Sequence, residues 1–277
     1  MPRVALVTCN VLPEPDVDRE ITQSALQEIG LEATWEAWDD ENVDWSKFGL
    51  AILRSTWNYY RHVSHFQDWL RDVEQQTRLL NSRQIVRANL HKKYLIELAE
   101  KEVRVVPTLL ISRGIGNFSD VPWPKFVLKP AISASSFRTQ IFDISRLPEA
   151  FEFADMILSE SDLLVQEYMP SVENGGEVAW IWIDGELTHG VRKQPRLHDE
   201  DESVSQAIFP SEGDLLRLKP FADQIPNGSL YARIDVMEHL GDWLLSEMEL
   251  IEPSLYLLQN PVAAVKFAEA VAKDTGF

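Results

Sequence analysis

Three acidic residues, Glu247, Glu249 and Glu252, stand inside the otherwise apolar segment "WLLSEMELIEPSLYLL" (243–258). A run this apolar belongs in a buried strand, yet taking an ionised carboxylate out of water is costly unless a partner offsets it. The fold must therefore either leave the segment exposed or bring positive charge to it. Strand periodicity puts Glu247 and Glu249 on one face and Met248 and Leu250 on the other. The preceding strand, "LYARIDV", carries Asp235 among apolar neighbours, and the turn "HLGD" would pair the two strands so that Asp235 faces both glutamates. Three hard oxygen ligands gathered in this way suit Mg²⁺ or Mn²⁺. The competing reading is a solvent-exposed edge face, on which acids need no partner.

Candidate cations are spread along the chain. Lys129 ends "FVLK" before a small-residue stretch, "AISASS", that can lie close to phosphates. Lys92 or Lys93 opens the helix of "NLHKKYLIELA", and Lys193 ends "HGVRK". Singly, each reads as a solvated lysine; together they offer cations for phosphate oxygens beside carboxylates for a metal. "QEYM" (166–169) is an extended strand end able to present backbone groups to an adenine edge.

The chain has 277 residues, 45% of them hydrophobic, enough for one large domain or two modest ones. A formal net charge of −18 argues against general nucleic-acid binding. The single cysteine, Cys9, ends an apolar run and reads as a buried structural thiol. Neither a membrane span nor a signal peptide is evident, so a soluble, cytoplasmic protein is expected.

"RVALVTC", "LEATWEAW" and "GLAILRS" read as strands, with a helix carrying Ile21, Ala25, Leu26 and Ile29 between the first two. Ser64 and Gln67 form a capping-box pattern before Phe66, Trp69, Leu70 and Val73. This alternation to about residue 85 predicts a small open α/β sheet. Leu90, Tyr94, Leu95 and Leu98 make one further helical face. Beyond Pro122 short strands follow in quick succession, interrupted by helices near 148–160 and 211–222 and closed by one starting at Pro261. "DGE" (184–186) signals a hairpin, and "RLHDEDES" (196–203) a mobile loop. The fold class is thus α+β: an N-terminal α/β unit (1–85) and a second domain (86–277) in two subdomains, about 86–170 and 171–277.

The ordered set "KK…PTLL…FVLKP…VQEYMP…GE…K…ARIDV…EMELIEP" resembles the ATP-grasp superfamily of ATP-dependent ligases over roughly residues 80–260, the N-terminal unit matching the small sheet that usually precedes the grasp. "LRSTWNYY" with "KKYLIELA", "FVLKP" and "ELIEP" looks like the branch containing the cyclo-ligase that makes cycloserine from O-ureido-serine, itself related to glutathione-synthetase-like and ribosomal-protein-modifying ligases. The resemblance implies two α+β subdomains clamping ATP. It places Lys92 and Lys129 on the phosphates, and Gln166, Glu167, Tyr168 and Met169 at the adenine hinge, with Glu177 at the family's "GE" acid. Lys193 and Arg233 become the catalytic cations, Arg233 reaching a phosphate or the reacting carboxylate, while Asp235, Glu247 and Glu249 bind two Mg²⁺ ions, Mn²⁺ being an alternative. Glu249 stands where many relatives have Asn. The phosphate-covering loop "PAISASSFRT" lacks the usual glycines, and Asn58 and His91 replace acids common in the branch.

"LRSTWNYY" (53–60) ends the third strand, where open α/β sheets expose ligand-binding loops. Arg54, Ser55, Thr56 and Asn58 are candidates to hydrogen-bond an amino-acid-like substrate, with Trp57, Tyr59 and Tyr60 as pocket walls; the alternative is aromatic packing against the neighbouring domain. No hydrolase elbow, zinc-ligand pattern or P-loop occurs. The expected activity is ADP-forming carbon–nitrogen ligation through an acyl phosphate. Alternatives are intramolecular ring closure, ligation to a peptide or protein terminus, and nucleotide binding without turnover. The expected partner is a small amino-acid-like molecule, not nucleic acid or membrane, and the resemblance allows a homodimer.

Overall fold

The computed structural model describes residues 3–114, 118, 121–134, 137–174, 176–193 and 203–275. Its first part contains β1 (Arg3–Thr8), α1 (Arg19–Glu28), β2 (Glu32–Ala37), β3 (Leu50–Ser55), α2 (Val63–Val73) and β4 (Arg78–Leu80). The strands form a parallel sheet in the order β2-β1-β3-β4. β1 and β3 are buried almost throughout because helices or other sheets cover both faces, which is why they read as unbroken apolar runs.

The chain continues through α3 (Arg83–Leu90), α4 (Tyr94–Glu100), β5 (Thr108–Ile111), β6 (Lys125–Pro130), β7 (Gln140–Asp143), α5 (Leu147–Glu160) and β8 (Leu163–Glu167). These strands make an antiparallel sheet, β5-β8-β6-β7. Then come α6 (Ser171–Asn174), β9 (Glu177–Ile183), β10 (Glu186–Lys193), α7 (Glu212–Ala222), β11 (Tyr231–His239), β12 (Asp242–Glu249) and α8 (Pro261–Thr275). Their antiparallel sheet runs β10-β9-β11-β12. Both expected tight turns are present. Asp184 and Gly185 have φ of 45° and 91°, Leu240 and Gly241 of 52° and 81°, the positive values a two-residue hairpin turn requires.

The parallel sheet does not close its core alone. One apolar cluster joins Leu6 and Leu26 to Ile181, Tyr231 and Phe267, so β1 and α1 pack directly against β9, β11 and α8. Asn81, fully buried just past β4, fastens the same junction. Its amide donates to the carbonyls of Tyr231 (2.9 Å) and Leu250 (2.7 Å), and its oxygen accepts from Leu230 N–H (2.7 Å).

Two sequence expectations are corrected. Ser64 is no cap: α2 starts at Val63, behind His62, and has no side-chain capping bond. The capping box lies at α7, where Ser211 and Asp214 exchange hydrogen bonds. The helix carrying Leu90 to Leu98 is two helices, parted at His91, whose backbone is extended. Cys9 is buried as expected, and burial, reinforced by Asp39, pushes its thiol pKa up to about 11. Among the described residues no helix is long and apolar enough to cross a membrane. Most of the "RLHDEDES" segment lies outside the described residues.

Packing is tight at Gly190 on β10, where an added Cβ would sit 2.8 Å from the Trp180 ring. Gly190→Ala should therefore lower stability by about 1–3 kcal/mol, as overpacking does; a chemical-denaturation midpoint equal to that of the wild type would refute this.

Candidate active site

β11 and β12 pair in the register Arg233↔Glu249, Ile234↔Met248 and Asp235↔Glu247. The period of two sends the four charged side chains to one face, while Ile234, Met248 and Leu250 join the apolar cluster behind. The carboxylates that made "EMELIEP" improbable as a buried strand are thus collected on a single surface, and cations from other elements meet them there.

Lys92 arrives from the break between α3 and α4. There His91 Nδ1 accepts from Lys93 N–H at 3.1 Å, and Lys92 N–H donates to Ala131 O at 2.8 Å. The interruption turns Lys92 inward, placing its Nζ 2.5 Å from Glu247 Oε1 and 2.8 Å from Ser133 O. Lys193, the last residue of β10, lies 2.7 Å from Asp235 Oδ2 and 2.5 Å from Glu177 Oε2. Arg233 grips Asp235 with two bonds, 2.8 and 2.9 Å, and meets Glu249 at 2.5 Å. Gly176 permits this approach: with φ of 69°, an added Cβ would fall 2.2 Å from Lys193 O.

Charge balance is uneven across the cluster. Burial works against Asp235, but Arg233 and Lys193 overcome it and hold the carboxyl at about 2. Burial likewise opposes Glu247, yet Lys92 and Lys129 keep its pKa below the ordinary value. At Glu249 burial prevails over Arg233, and repulsion from Glu247 and Asp235 adds to it, raising the pKa to about 8. Burial raises Glu252 to about 7 against the pull of Arg233 and Lys92. On the cationic side, burial pushes Lys129 down despite the attraction of Glu247, and Lys92 and Lys193 repel it further.

Lys92, Arg233, Glu247, Glu249 and Glu252 line a cavity also walled by Trp57, Tyr59, Asn89, Ser133 and Ser254. Asn89 is a structural tie: its amide donates to Met248 O at 2.8 Å and its oxygen accepts from Leu250 N–H at 2.9 Å, fixing α3 to the acidic strand. Glu14, also on the wall, went unnoticed in the sequence because it sits in a turn-rich stretch with no periodicity to orient it.

Of the seven residues of "LRSTWNYY" expected around the substrate, Trp57 and Tyr59 line this cavity, as the walls they were expected to be. Arg54 continues the strand alternation away from it and is buried, its guanidinium 5.4 Å from the Tyr231 ring and 5.8 Å from that of Phe267. Ser55 and Thr56 are fully buried, Ser55 donating to Thr8 Oγ1 at 3.0 Å. Asn58 accepts from Trp38 Nε1 at 2.7 Å and donates to Asp39 at 2.8 Å.

At the expected adenine hinge, Gln166 donates to Thr108 Oγ1 at 3.0 Å and is buried. The amides of Glu167 and Tyr168 bond to Pro107 O (2.9 Å) and Lys125 O (3.1 Å). The Tyr168 ring lies under Lys125, 3.6 Å from its ammonium, and its hydroxyl reaches Glu173. Met169 is buried beside it. Glu177 belongs to the charge cluster, joined to Lys193 and Ser246.

Asp235, Glu247 and Glu249 share one face, but each meets a Lys or Arg nitrogen. Among the described residues no group of three or more His, Cys, Asp or Glu has a geometry ready to hold a metal ion. The donor set still fits a hard divalent cation: these are carboxylate oxygens, and Glu249, raised first by burial and then by repulsion from Glu247 and Asp235, is a group whose charge such an ion would stabilise.

A family model described as the N-terminal domain of D-cycloserine synthetase DcsG matches residues 4–81. The cycloserine biosynthesis protein DcsG of Streptomyces lavendulae is 29% identical over 299 residues, covering 98% of each chain. The crystal structure of D-cycloserine synthetase DcsG matches with a TM-score of 0.85 at 28% identity, over 99% of each chain. The D-alanine–D-alanine ligase of Bacillus anthracis, solved with ATP, has a TM-score of 0.69 at 12% identity over 99% of this chain and 97% of its own, a likeness of fold alone.

Proposed function

We propose that the chain, similar over its full length to cycloserine synthetase, is an ATP-grasp ligase that activates the carboxylate of a small amino-acid-like substrate with ATP and then joins it to nitrogen. A carboxylate oxygen attacks the γ-phosphorus, the bond to the β,γ-bridging oxygen breaks, and ADP leaves. The acyl phosphate formed is opened by a nitrogen nucleophile, with phosphate departing and the nitrogen losing a proton. The residues supply positioning and charge compensation in a site removed from water.

One observation carries this reading. Four cations, Lys92, Lys129, Lys193 and Arg233, gather around the carboxylates Asp235, Glu247 and Glu249, and Lys92, Arg233, Glu247 and Glu249 of this set line one cavity. ATP brings negative charge and Mg²⁺ positive, so both can enter without leaving an unpaired buried charge. In this reading Lys92, Lys129, Lys193 and Arg233 turn to the phosphates. Asp235, Glu247 and Glu249, released from them, would hold two Mg²⁺ ions. When bound, those ions would neutralise the phosphates and orient them. Arg233, on the cavity wall, would also hold the reacting carboxylate, while Glu167, Tyr168 and Met169 would form the hinge at adenine, Glu167 and Met169 through backbone groups.

Ring closure within one molecule is the favoured form of the reaction. Full-length similarity to cycloserine synthetase supports it, as does a cavity walled by Trp57 and Tyr59, which suits a compact substrate better than a protein terminus. The test is release of ADP and phosphate from Mg²⁺-ATP with O-ureido-serine, other amino acids and short peptides, with the product mass measured. Turnover with O-ureido-serine and the mass of a ring product are expected. Turnover only with peptides would overturn ring closure, and none with any carboxylic acid would overturn the ligase reading.

A further inference from the structure

Glu177, Asp235, Glu247 and Glu249 each have a Lys or Arg nitrogen at 2.5–2.8 Å. Glu252 differs. It is 6% exposed and lines the cavity, yet among the described residues no Lys or Arg nitrogen pairs with it; its side-chain partner is the Tyr59 hydroxyl, which donates to it. Its position is nevertheless firmly held. Trp57 Nε1 donates to the Glu252 backbone carbonyl at 3.0 Å. The Tyr231 hydroxyl lies 2.8 Å from Ile251 O and 2.6 Å from Leu53 O, tying the preceding residue to the end of β3. A buried carboxylate fixed at a cavity wall and lacking a protein cation takes either a proton or a cation from elsewhere, and only a cation lets it act as a charged binding group.

We infer that Glu252, oriented by Tyr59 and Trp57, binds the α-ammonium group of the acyl donor. This rests on the ligase reading above and adds to it the substrate class, an acid bearing a primary ammonium, and the residue that selects it. Arg233, on the same wall, offers the carboxylate end of such a zwitterion its partner, so the molecule would lie with its two charges opposed to two protein charges of opposite sign. The arrangement has a chemical use. An ammonium fixed by a carboxylate at one end of the molecule sets the position of the carboxylate one carbon away, the group that must meet the γ-phosphate. The raised pKa of Glu252 agrees with a carboxylate awaiting its counter-ion.

The test compares the wild type with Glu252→Gln, a variant of nearly equal shape, by calorimetric binding of two probes in the presence of a non-hydrolysable ATP analogue and Mg²⁺. The probes are O-ureido-serine and the same acid lacking its α-amino group. The wild type should prefer the amino form by on the order of 100-fold, the scale of a buried charge pair. The variant should lose that preference, binding the amino form much more weakly and the deaminated form no worse. Equal weakening of both probes would show that Glu252 only supports the wall, and a preserved preference would place the ammonium elsewhere; either overturns the inference. A wild type that does not distinguish the two probes overturns it as well. Turnover, measured separately, distinguishes the two readings: preferential binding without ADP formation would sink the ligase reading and leave the ammonium site standing.

Discussion

Asp235→Asn should abolish ADP formation and also destabilise the protein. Asp235 is 1% exposed, accepts two bonds from Arg233 and one from Lys193, and has its carboxyl held at about 2 by them. Asparagine keeps the shape and removes the charge, leaving two buried cations with less compensation. Breaking a buried ionic group in this way costs about 3–5 kcal/mol. The two cations that Asp235 holds make it a structural residue as well as a functional one. The check is a paired measurement of denaturation midpoint and ATP turnover. Full turnover would remove Asp235 from the reaction, and an unchanged midpoint would mean that the cations find other partners. Glu249→Ala should separate the two effects: turnover is lost, while stability is kept or improved, because Glu249 is the strained member of the set.

The second large effect is a dependence of stability on pH that Mg²⁺-ATP reverses. Glu249 and Glu252 have folded-state pKa values of about 8 and about 7, above the 4.5 of an ordinary glutamate. The folded protein therefore holds protons that the unfolded chain has released. Their contribution is fully present below about pH 4.5 and is lost as pH rises through 7 and 8. Asp235, shifted the other way, loses its contribution only as pH falls towards 2, so it is constant over this window. Glu249 and Glu252 should thus cost the protein on the order of 3 kcal/mol between pH 5 and pH 8.5, less than independent titration would give because Arg233 and solvent share the charge, while His189, whose pKa burial lowers, acts in the opposite sense at the acid end of the window. Mg²⁺-ATP should restore it, since whatever binds only the folded state stabilises it. Binding near pH 6.5 should also release protons, seen as an enthalpy that varies with the buffer's ionisation heat. A stability flat from pH 5 to 8.5, or binding without proton release, would contradict the assigned charge states.

The acidic strand, its partner and their register were legible in the sequence because alternation in "ARIDV" and "EMELI" is strict and the turn between them is short. Lys92, Lys129, Lys193 and Arg233 were legible only as a set, through resemblance, since nothing local distinguishes a lysine that meets a glutamate from a solvated one. The stretch after Leu53 was legible only in part: Trp57 and Tyr59 do wall the cavity, but Arg54, Ser55, Thr56 and Asn58 do not line it. Past Leu53 the strand continues, so Arg54 turns towards α8 and Trp57 and Tyr59 become the residues at the cavity. Where β3 stops cannot be read from "LRSTWNYY", because Ser and Thr serve equally in strand and turn. Glu252 was ambiguous for a related reason: it lies beyond the end of β12, where the period of two no longer assigns a face.

The shared core bears on how such an enzyme can be altered. Leu26 packs in one cluster with Phe267, and Asn81 is bonded to strands and loops more than a hundred residues away. The first eighty residues are therefore no exchangeable cassette. A chimaera that took them from a relative without α8 and the 250–258 turn would join two surfaces not shaped for each other. New specificity is more readily sought by changing side chains at positions 57, 59 and 252 together, within a backbone left as it is.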